Sequence, residues 1–183
     1  MALEHAILVS LSEQAGSGLD LTRRFDRSIG FFWTATHQQI YRVLARMEGE
    51  GWVRSEQVTQ QGRPDKKVYD VTAAGRRELE RWLAEPLGRE QHRSDLAVKL
   101  RAASYGDRGP LLDEVAALRA EHAPRLALFE ELEARDYAAP AALTGADLDR
   151  FLVLRGGIRM EQFWVDWLGE YLTAHGHGQG ESR

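Results

Sequence analysis

Thr36-His-Gln-Gln-Ile-Tyr-Arg-Val-Leu-Ala-Arg-Met-Glu-Gly-Glu-Gly51-Trp-Val53, a polar loop, and Lys67-Val-Tyr-Asp-Val-Thr-Ala-Ala-Gly75 decide the fold of this chain. Thr36 can cap a helix, and Gln39 stands three residues on, the spacing of a capping box. Ile40, Val43, Leu44 and Met47 repeat at helical spacing and form an inward face. Gly51 closes the helix. Trp52 to Val58 and Lys66 to Val71 are rich in β-formers, and Gly62 and Pro64 mark a turn between them. Thr72 can cap the next helix, which carries Leu79, Trp82 and Leu83. Helix, glycine stop, strand, basic turn, strand and capped helix is the order of a winged helix-turn-helix, which offers one helix to the DNA major groove and a hairpin to the adjacent backbone.

Upstream, Leu3, Ile7, Leu8 and Leu11 give Ala2 to Ala15 a helical pattern, which Gly16-Ser17-Gly18 breaks. Leu19 to Ile29 reads as a second helix, with Leu21 and Phe25 inward and Arg23, Arg24 and Arg27 exposed. An apolar turn, Gly30-Phe31-Phe32-Trp33, leads to the third helix. Downstream of Pro86 the chain is helical throughout: Asp95 to Tyr105, Pro110 to Tyr137 with Pro124 expected to kink or divide it, and Ala146 to Tyr171. The expected architecture is mainly α. A winged helix occupies residues 1–86, a helical dimerisation and effector module residues 87–174, and a flexible Gly- and His-rich tail residues 175–183.

The net charge of −4 weighs against a nucleic-acid partner only if it is evenly spread. It is not: residues 1–85 hold twelve Lys/Arg and twelve Asp/Glu, so the acidic excess lies in the second half. The absence of cysteine excludes disulfides and thiolate metal sites. The N-terminus lacks a signal-peptide pattern and no apolar run would span a bilayer, so no membrane partner and a cytoplasmic location are expected.

On the third helix, Gln38 and Arg42 stand four apart and share the face opposite the apolar one, with Tyr41 and Arg46 on its flanks. Glutamine and arginine read adenine and guanine edges through paired hydrogen bonds. Thr36, His37, Gln38, Tyr41 and Arg42, with Arg63, Lys66 and Lys67 of the hairpin, are the expected contacts to double-stranded DNA. A solvated helix face and an ordinary soluble turn are the bland readings of the same residues. The adjacency of helix and basic hairpin favours the DNA reading.

No nucleophile motif, P-loop or dinucleotide fingerprint occurs, so neither catalytic residues nor a cofactor are expected. His175-Gly176-His177 has no matched acidic partner, and His92, Glu121 and His122 lack ligand spacing, so no metal site is expected. His122 sits on an apolar stripe and reads as a satisfied interface histidine. Leu148, Phe151, Leu152, Ile158, Trp164, Trp167 and Leu168 wrap more than one side of the last helix, which suits the core of a homodimer. Phe163, Trp164, Trp167 and Tyr171 have a second reading, as walls of a pocket between the two modules for a small aromatic effector.

The run Gln39 to Trp52, with Gly62-Arg63-Pro64 and Lys67 to Gly75, resembles the PadR family of bacterial transcriptional regulators. Ser94-Asp-Leu-Ala-Val-Lys-Leu100 is similar to the opening of that family's C-terminal domain. The resemblance implies a dimeric winged-helix repressor. It implies DNA bound by the third helix and wing, and dimerisation mainly through C-terminal helices. The second helix of such proteins usually opens Gly-Tyr, and here it opens Gly18-Leu19. The reading from another class is a winged-helix module that contacts protein and lacks sequence-specific DNA binding.

Overall fold

The computed structural model describes residues 2–25, 35–60, 63–87 and 94–176, and of residues 2, 60 and 63–65 the backbone alone. The chain divides into two compact units, Met1–Arg89 and Glu90–Arg183.

The first unit runs α1 (Ala2–Glu13), β1 (Gly16–Ser17), α2 (Gly18–Phe25), α3 (His37–Gly49), β2 (Val53–Gln60), β3 (Arg63–Val71) and α4 (Ala73–Leu83). Its core joins Ile7, Leu8 and Leu11 of α1, Leu21 and Phe25 of α2, Ile40, Leu44 and Met47 of α3, and Val53, Tyr69 and Val71 of the strands. The apolar spacing of α3 is therefore used as expected, with Val43 partly buried at the margin. Thr36 and Gln39 form the capping box: the Gln39 amide donates to the Thr36 hydroxyl (3.3 Å) and the Thr36 amide to Gln39 Oε1 (2.8 Å). Such a cap is worth about 1 kcal/mol. Gly51 has φ +72°, a left-handed conformation open to glycine, and it turns the chain from α3 into β2.

The strands form an antiparallel sheet in the order β1-β3-β2. Val53 faces Val71 at the base of the hairpin and Gln60 faces Arg63 at its tip, with an irregularity between Val58 and Gln60. The hairpin is longer than the apolar pattern indicates, because polar residues extend both strands towards the tip. Residues 16–18 separate α1 from α2 as expected, and Gly16 and Ser17 also form a short strand that the sequence did not show: Gly16 pairs with Tyr69 and Ser17 with Val68. Arg24 is likewise not a free surface cation. It donates to the carbonyls of Ser10, Gln14 and Ala15, closing the C-terminal end of α1. The expected continuation of α2 to Ile29 and the turn at residues 30–33 lie outside the described residues.

The second unit contains α5 (Asp95–Ala102), a 3₁₀ turn at Ala103–Tyr105, α6 (Gly109–Asp136), another 3₁₀ turn at Pro140–Ala142, and α7 (Gly145–Ala174). The segment expected as one helix from Asp95 to Tyr105 thus tightens into a 3₁₀ turn at its end. Pro124 does not divide α6, which continues through it. Paired contacts run Glu133 with Arg155, His122 with Glu161 and Arg119 with Val165. One residue number falls as the other rises, so α6 and α7 are antiparallel. Leu100, Leu112, Val115, Leu168 and Leu172 form the core that joins α5 to this pair. No described helix is long and apolar enough to cross a membrane.

Candidate nucleic-acid interface

The exposed face of α3 begins at its capped end. Thr36, His37, Gln38, Tyr41 and Arg42 are all exposed, whereas Ile40 between them and Leu44 one turn on are fully buried. The side chains of His37, Gln38 and Arg42 make no hydrogen bond or ion pair among the described residues. Thr36 is occupied by its cap, so its hydroxyl orients the helix start. Tyr41 is held on one side: a Cβ at Gly18 would lie 2.4 Å from Tyr41 Cε1, so the ring rests on the backbone where α2 begins.

The hairpin cations differ from those of the helix. Successive residues of a strand leave on opposite faces, and Lys66 and Lys67 do so. Lys66 Nζ lies 2.7 Å from Asp20 Oδ2 on α2. Lys67 Nζ lies 2.8 Å from Glu48 Oε2 at the end of α3 and 5.1 Å from the centre of the Tyr69 ring. Arg54 of β2 pairs with Asp70 of β3 at 2.9 Å. The Arg63 side chain lies outside the described residues. Sequence reasoning named both lysines but had no signal for their partners, since Asp20 and Glu48 are 46 and 19 positions away from them in the chain.

Asp20 and Glu48 are fixed by further bonds. Asp20 Oδ2 accepts from the Ser17 amide (2.9 Å) and hydroxyl (2.8 Å), and the Asp20 amide donates back to Ser17 Oγ (3.2 Å). This is a second capping box, at the start of α2. The Lys66 ammonium, reinforced by Ser17, holds the Asp20 carboxyl down at about 2. Glu48 Oε1 accepts from Ser55 Oγ at 2.5 Å. Lys67 and then Ser55 hold the Glu48 carboxyl below its usual range, and Glu48 in turn raises the Lys67 ammonium. Behind this surface, buried His5 stacks on Trp82 (4.4 Å between ring centres) and bonds Glu78 Oε1 at 3.1 Å, tying α1 to α4. Arg81, with His5, holds the Glu78 carboxyl at about 2.

In the second unit, the residues expected to form a dimer core separate into two groups. Leu168 is fully enclosed by its own chain, so it supports the α6–α7 pair and offers no surface to a partner. Trp164 and Trp167 pack partly against the same core. Leu148, Phe151 and Ile158 are half-buried, and Leu152 is exposed. Val153, Met160 and Phe163 are exposed as well. Helical geometry places Leu152, Val153, Met160 and Phe163 within an arc of about 100° on α7.

Glu161 was not legible as a special residue. It is 7% exposed and bonds His122 Nδ1 (2.6 Å) and Arg125 Nη1 (3.2 Å), while the His122 ring stacks on Trp164 at 5.3 Å. His122 is thus satisfied within its own unit, as expected of a histidine on an apolar stripe. Phe163 stacks on Trp167, Trp164 meets Phe163 edge-on and Trp167 at a tilt, and Tyr171 donates to the Leu100 carbonyl at 3.2 Å. An open groove along this helix pair is lined by Ala116, Arg119, Val165, Asp166, Gly169, Leu172 and Thr173, and none of those four aromatics lines it. His175 contacts the Tyr171 ring, and His177 lies outside the described residues. Among the described residues no three His, Cys, Asp or Glu side chains gather as a metal would require.

A three-helix core with a two-stranded wing, a polar exposed third helix and a helical second unit define a winged-helix regulator. The model of the PadR-like transcriptional regulator family matches residues 7–81, and that of the virulence activator alpha C-terminal region matches residues 92–175. A probable transcriptional regulator of Mycobacterium tuberculosis is 56% identical, covering 95% of this chain and 97% of that protein. The negative transcriptional regulator PadR of Bacillus subtilis is 30% identical, covering 93% and 96%. Among solved structures, the Vibrio cholerae virulence activator AphA superposes with a TM-score of 0.78 at 34% identity, covering 95% of this chain and 98% of that one. Bacillus subtilis PadR in complex with operator DNA superposes with a TM-score of 0.79 at 26% identity, covering 95% and 99%. The chain belongs to the PadR family of transcriptional regulators.

Proposed function

We propose that this protein is a homodimeric repressor of a palindromic operator, with α3 in the major groove and the wing on the flanking backbone, and that a small aromatic effector releases it. The observation that carries the reading is the exposed face of α3, where Gln38 and Arg42 stand side by side with no partner among the described residues. In this reading Thr36, His37 and Tyr41 contact phosphates or base edges beside them, and Arg63, Lys66 and Lys67 contact the backbone. Support comes from Bacillus subtilis PadR, solved both with operator DNA and with p-coumaric acid, the latter at a TM-score of 0.72 and 28% identity. The relative's description as a negative regulator supports repression.

The test is binding of the full chain to duplexes drawn from the DNA flanking its own gene, by fluorescence anisotropy across a range of salt. Tight binding to one fragment is expected. Log affinity should fall linearly with log salt by about 0.9 per phosphate contact. Addition of small aromatic acids should lower that affinity. No salt-dependent affinity for any duplex would overturn the reading in favour of a winged-helix module that contacts protein.

A further inference from the structure

The described cations of the first unit's DNA-facing surface fall into two kinds. Arg42 on α3 carries no partner among the described residues, whereas Arg54, Lys66 and Lys67 of the wing each carry a carboxylate. The carboxylates of the two lysines are themselves anchored to the recognition half of the unit. Asp20 belongs to the capping box of α2, and Glu48 sits on α3 seven residues after Tyr41, hence on the same side of the helix. Each lysine therefore bridges the wing to a helix of the helix-turn-helix, and its charge is already compensated before DNA arrives.

A compensated lysine gives up a carboxylate when it takes a phosphate, so the exchange adds little to attraction for DNA as such. Attraction to phosphates is the sequence-independent part of binding. An acid that holds a wing lysine therefore subtracts most from complexes that have nothing else. On the operator, base contacts from α3 hold the wing against the backbone and the exchange goes through. On other sequences the wing stays paired to its own carboxylates.

We propose that Asp20 and Glu48 are specificity-setting residues that hold Lys66 and Lys67 back from phosphates, so that discrimination between operator and bulk DNA depends on them. The inference rests on the DNA-binding reading above.

The experiment compares Glu48→Gln and Asp20→Asn with the wild-type chain. Two duplexes are used: one selected by the wild-type chain from a random-sequence library, and a mixed-sequence duplex of the same length. Glu56→Gln serves as the charge control, since Glu56 is exposed on β2, has no ion partner among the described residues, and removes the same charge without freeing a lysine. Glu48→Gln and Asp20→Asn, but not Glu56→Gln, should each bind the mixed-sequence duplex about fivefold more tightly, the scale of a partly exposed ion pair. Their salt slopes there should steepen by up to about 0.9, and their gains on the selected duplex should be smaller. Glu48→Gln should lose its gain in a Lys67→Gln background, which a general charge effect or a structural role for Glu48 would not produce. Glu48→Gln does not touch either capping box, so it stands as the second variant should Asp20→Asn loosen α2. Equal gains from Glu56→Gln and Glu48→Gln, equal gains on both duplexes, or a gain that survives Lys67→Gln would overturn this inference and leave the proposed function intact. A wild-type chain that binds neither duplex would overturn both.

Discussion

The Tyr41 ring of α3 occupies the space that a side chain at residue 18 would need, with Cε1 2.4 Å and Cζ 2.7 Å from where a Gly18 Cβ would stand. Tyr41 is 48% exposed, so one face of the ring is packed and the other is free. The contact fixes the third helix against the start of the second. Gly18→Ala should force the ring or the helix aside, at a cost of about 1–3 kcal/mol as for other overpacked sites. Thermal unfolding should show the loss, and Tyr41→Ala in the same chain should restore most of it. A Gly18→Ala chain with unchanged stability and unchanged DNA affinity would show that the ring yields freely and positions nothing.

Direct readout makes a separate prediction. Gln38 and Arg42 lie one helical turn apart on the exposed face. Loss of a bidentate base contact costs about 1–3 kcal/mol and relaxes specificity at one position. Gln38→Ala and Arg42→Ala should each lower operator affinity by that amount and leave the unfolding temperature near the wild-type value, because neither side chain is packed. Operator affinity unchanged in the double variant would require a different face of α3 in the groove.

Much of this first unit can be read in advance, for physical reasons. The capping box at Thr36 and Gln39, the apolar face of Ile40, Leu44 and Met47, and the stop at Gly51 are local patterns, and local chemistry is what a sequence displays. β1 is two residues long, and its strand geometry exists because Tyr69 and Val68 offer open hydrogen-bonding positions beside it. The ion pairs of Lys66 and Lys67 depend on the same long-range register. Glu161 looks like any helical glutamate until α6 brings His122 and Arg125 to it. Leu168 and Leu152 are the same residue type on one helix, and only the position of α6 decides that one is core and the other surface.

Acid should loosen the clamp at the start of α2. The Asp20 carboxyl stands at about 2 in the folded chain, below its ordinary value of 3.8. A depressed folded value stabilises the fold above the unfolded value, and that contribution fades as pH falls from about 4 through about 2. Glu78, held at about 2 by Arg81 and His5, adds to the slope in the same direction. Unfolding of the chain by denaturant, followed from pH 6 down to pH 2, should show stability falling with pH. Asp20→Asn should flatten that dependence. A slope identical in wild type and variant would mean that the Lys66 pair contributes nothing to the fold.

The polar cluster of the second unit is exposed to a different kind of failure. Glu161 is buried, and its carboxylate is shared between His122 and Arg125. Removing one partner leaves a buried acceptor short of a donor, which costs about 1–3 kcal/mol. His122→Ala also removes the stack on Trp164 and should destabilise the unit by at least that much, read by circular dichroism on heating. Glu161→Leu removes the charge together with its need for partners, so it should cost less than His122→Ala. The reverse order would show that the carboxylate, and not its satisfaction, holds α6 to α7.

The proposed dimer can be tested on α7 because its apolar residues divide cleanly. Deleting the whole helix is a poor test, since Leu168 and Leu172 belong to the core of the unit and would leave with it. The exposed arc is separable. Leu152, Val153, Met160 and Phe163 are between 49% and 56% exposed, and Leu152 and Met160 belong to neither core cluster, so substitution of these two leaves the cores of the chain in place. Burial of such side chains against a second copy is worth about 1.5–3 kcal/mol each when complete. A twofold-related dimer counts every substitution twice, so Leu152→Asp with Met160→Asp should shift the chain from dimer to monomer in sedimentation equilibrium. Its circular dichroism spectrum should remain helical. Leu168→Asp should instead unfold the helix pair, because a carboxylate would be placed in a closed apolar core. Operator affinity should fall steeply in the double variant, since a monomer reads one half-site and a dimer reads two. A double variant that remains dimeric and binds operator as tightly as the wild type would place the interface elsewhere.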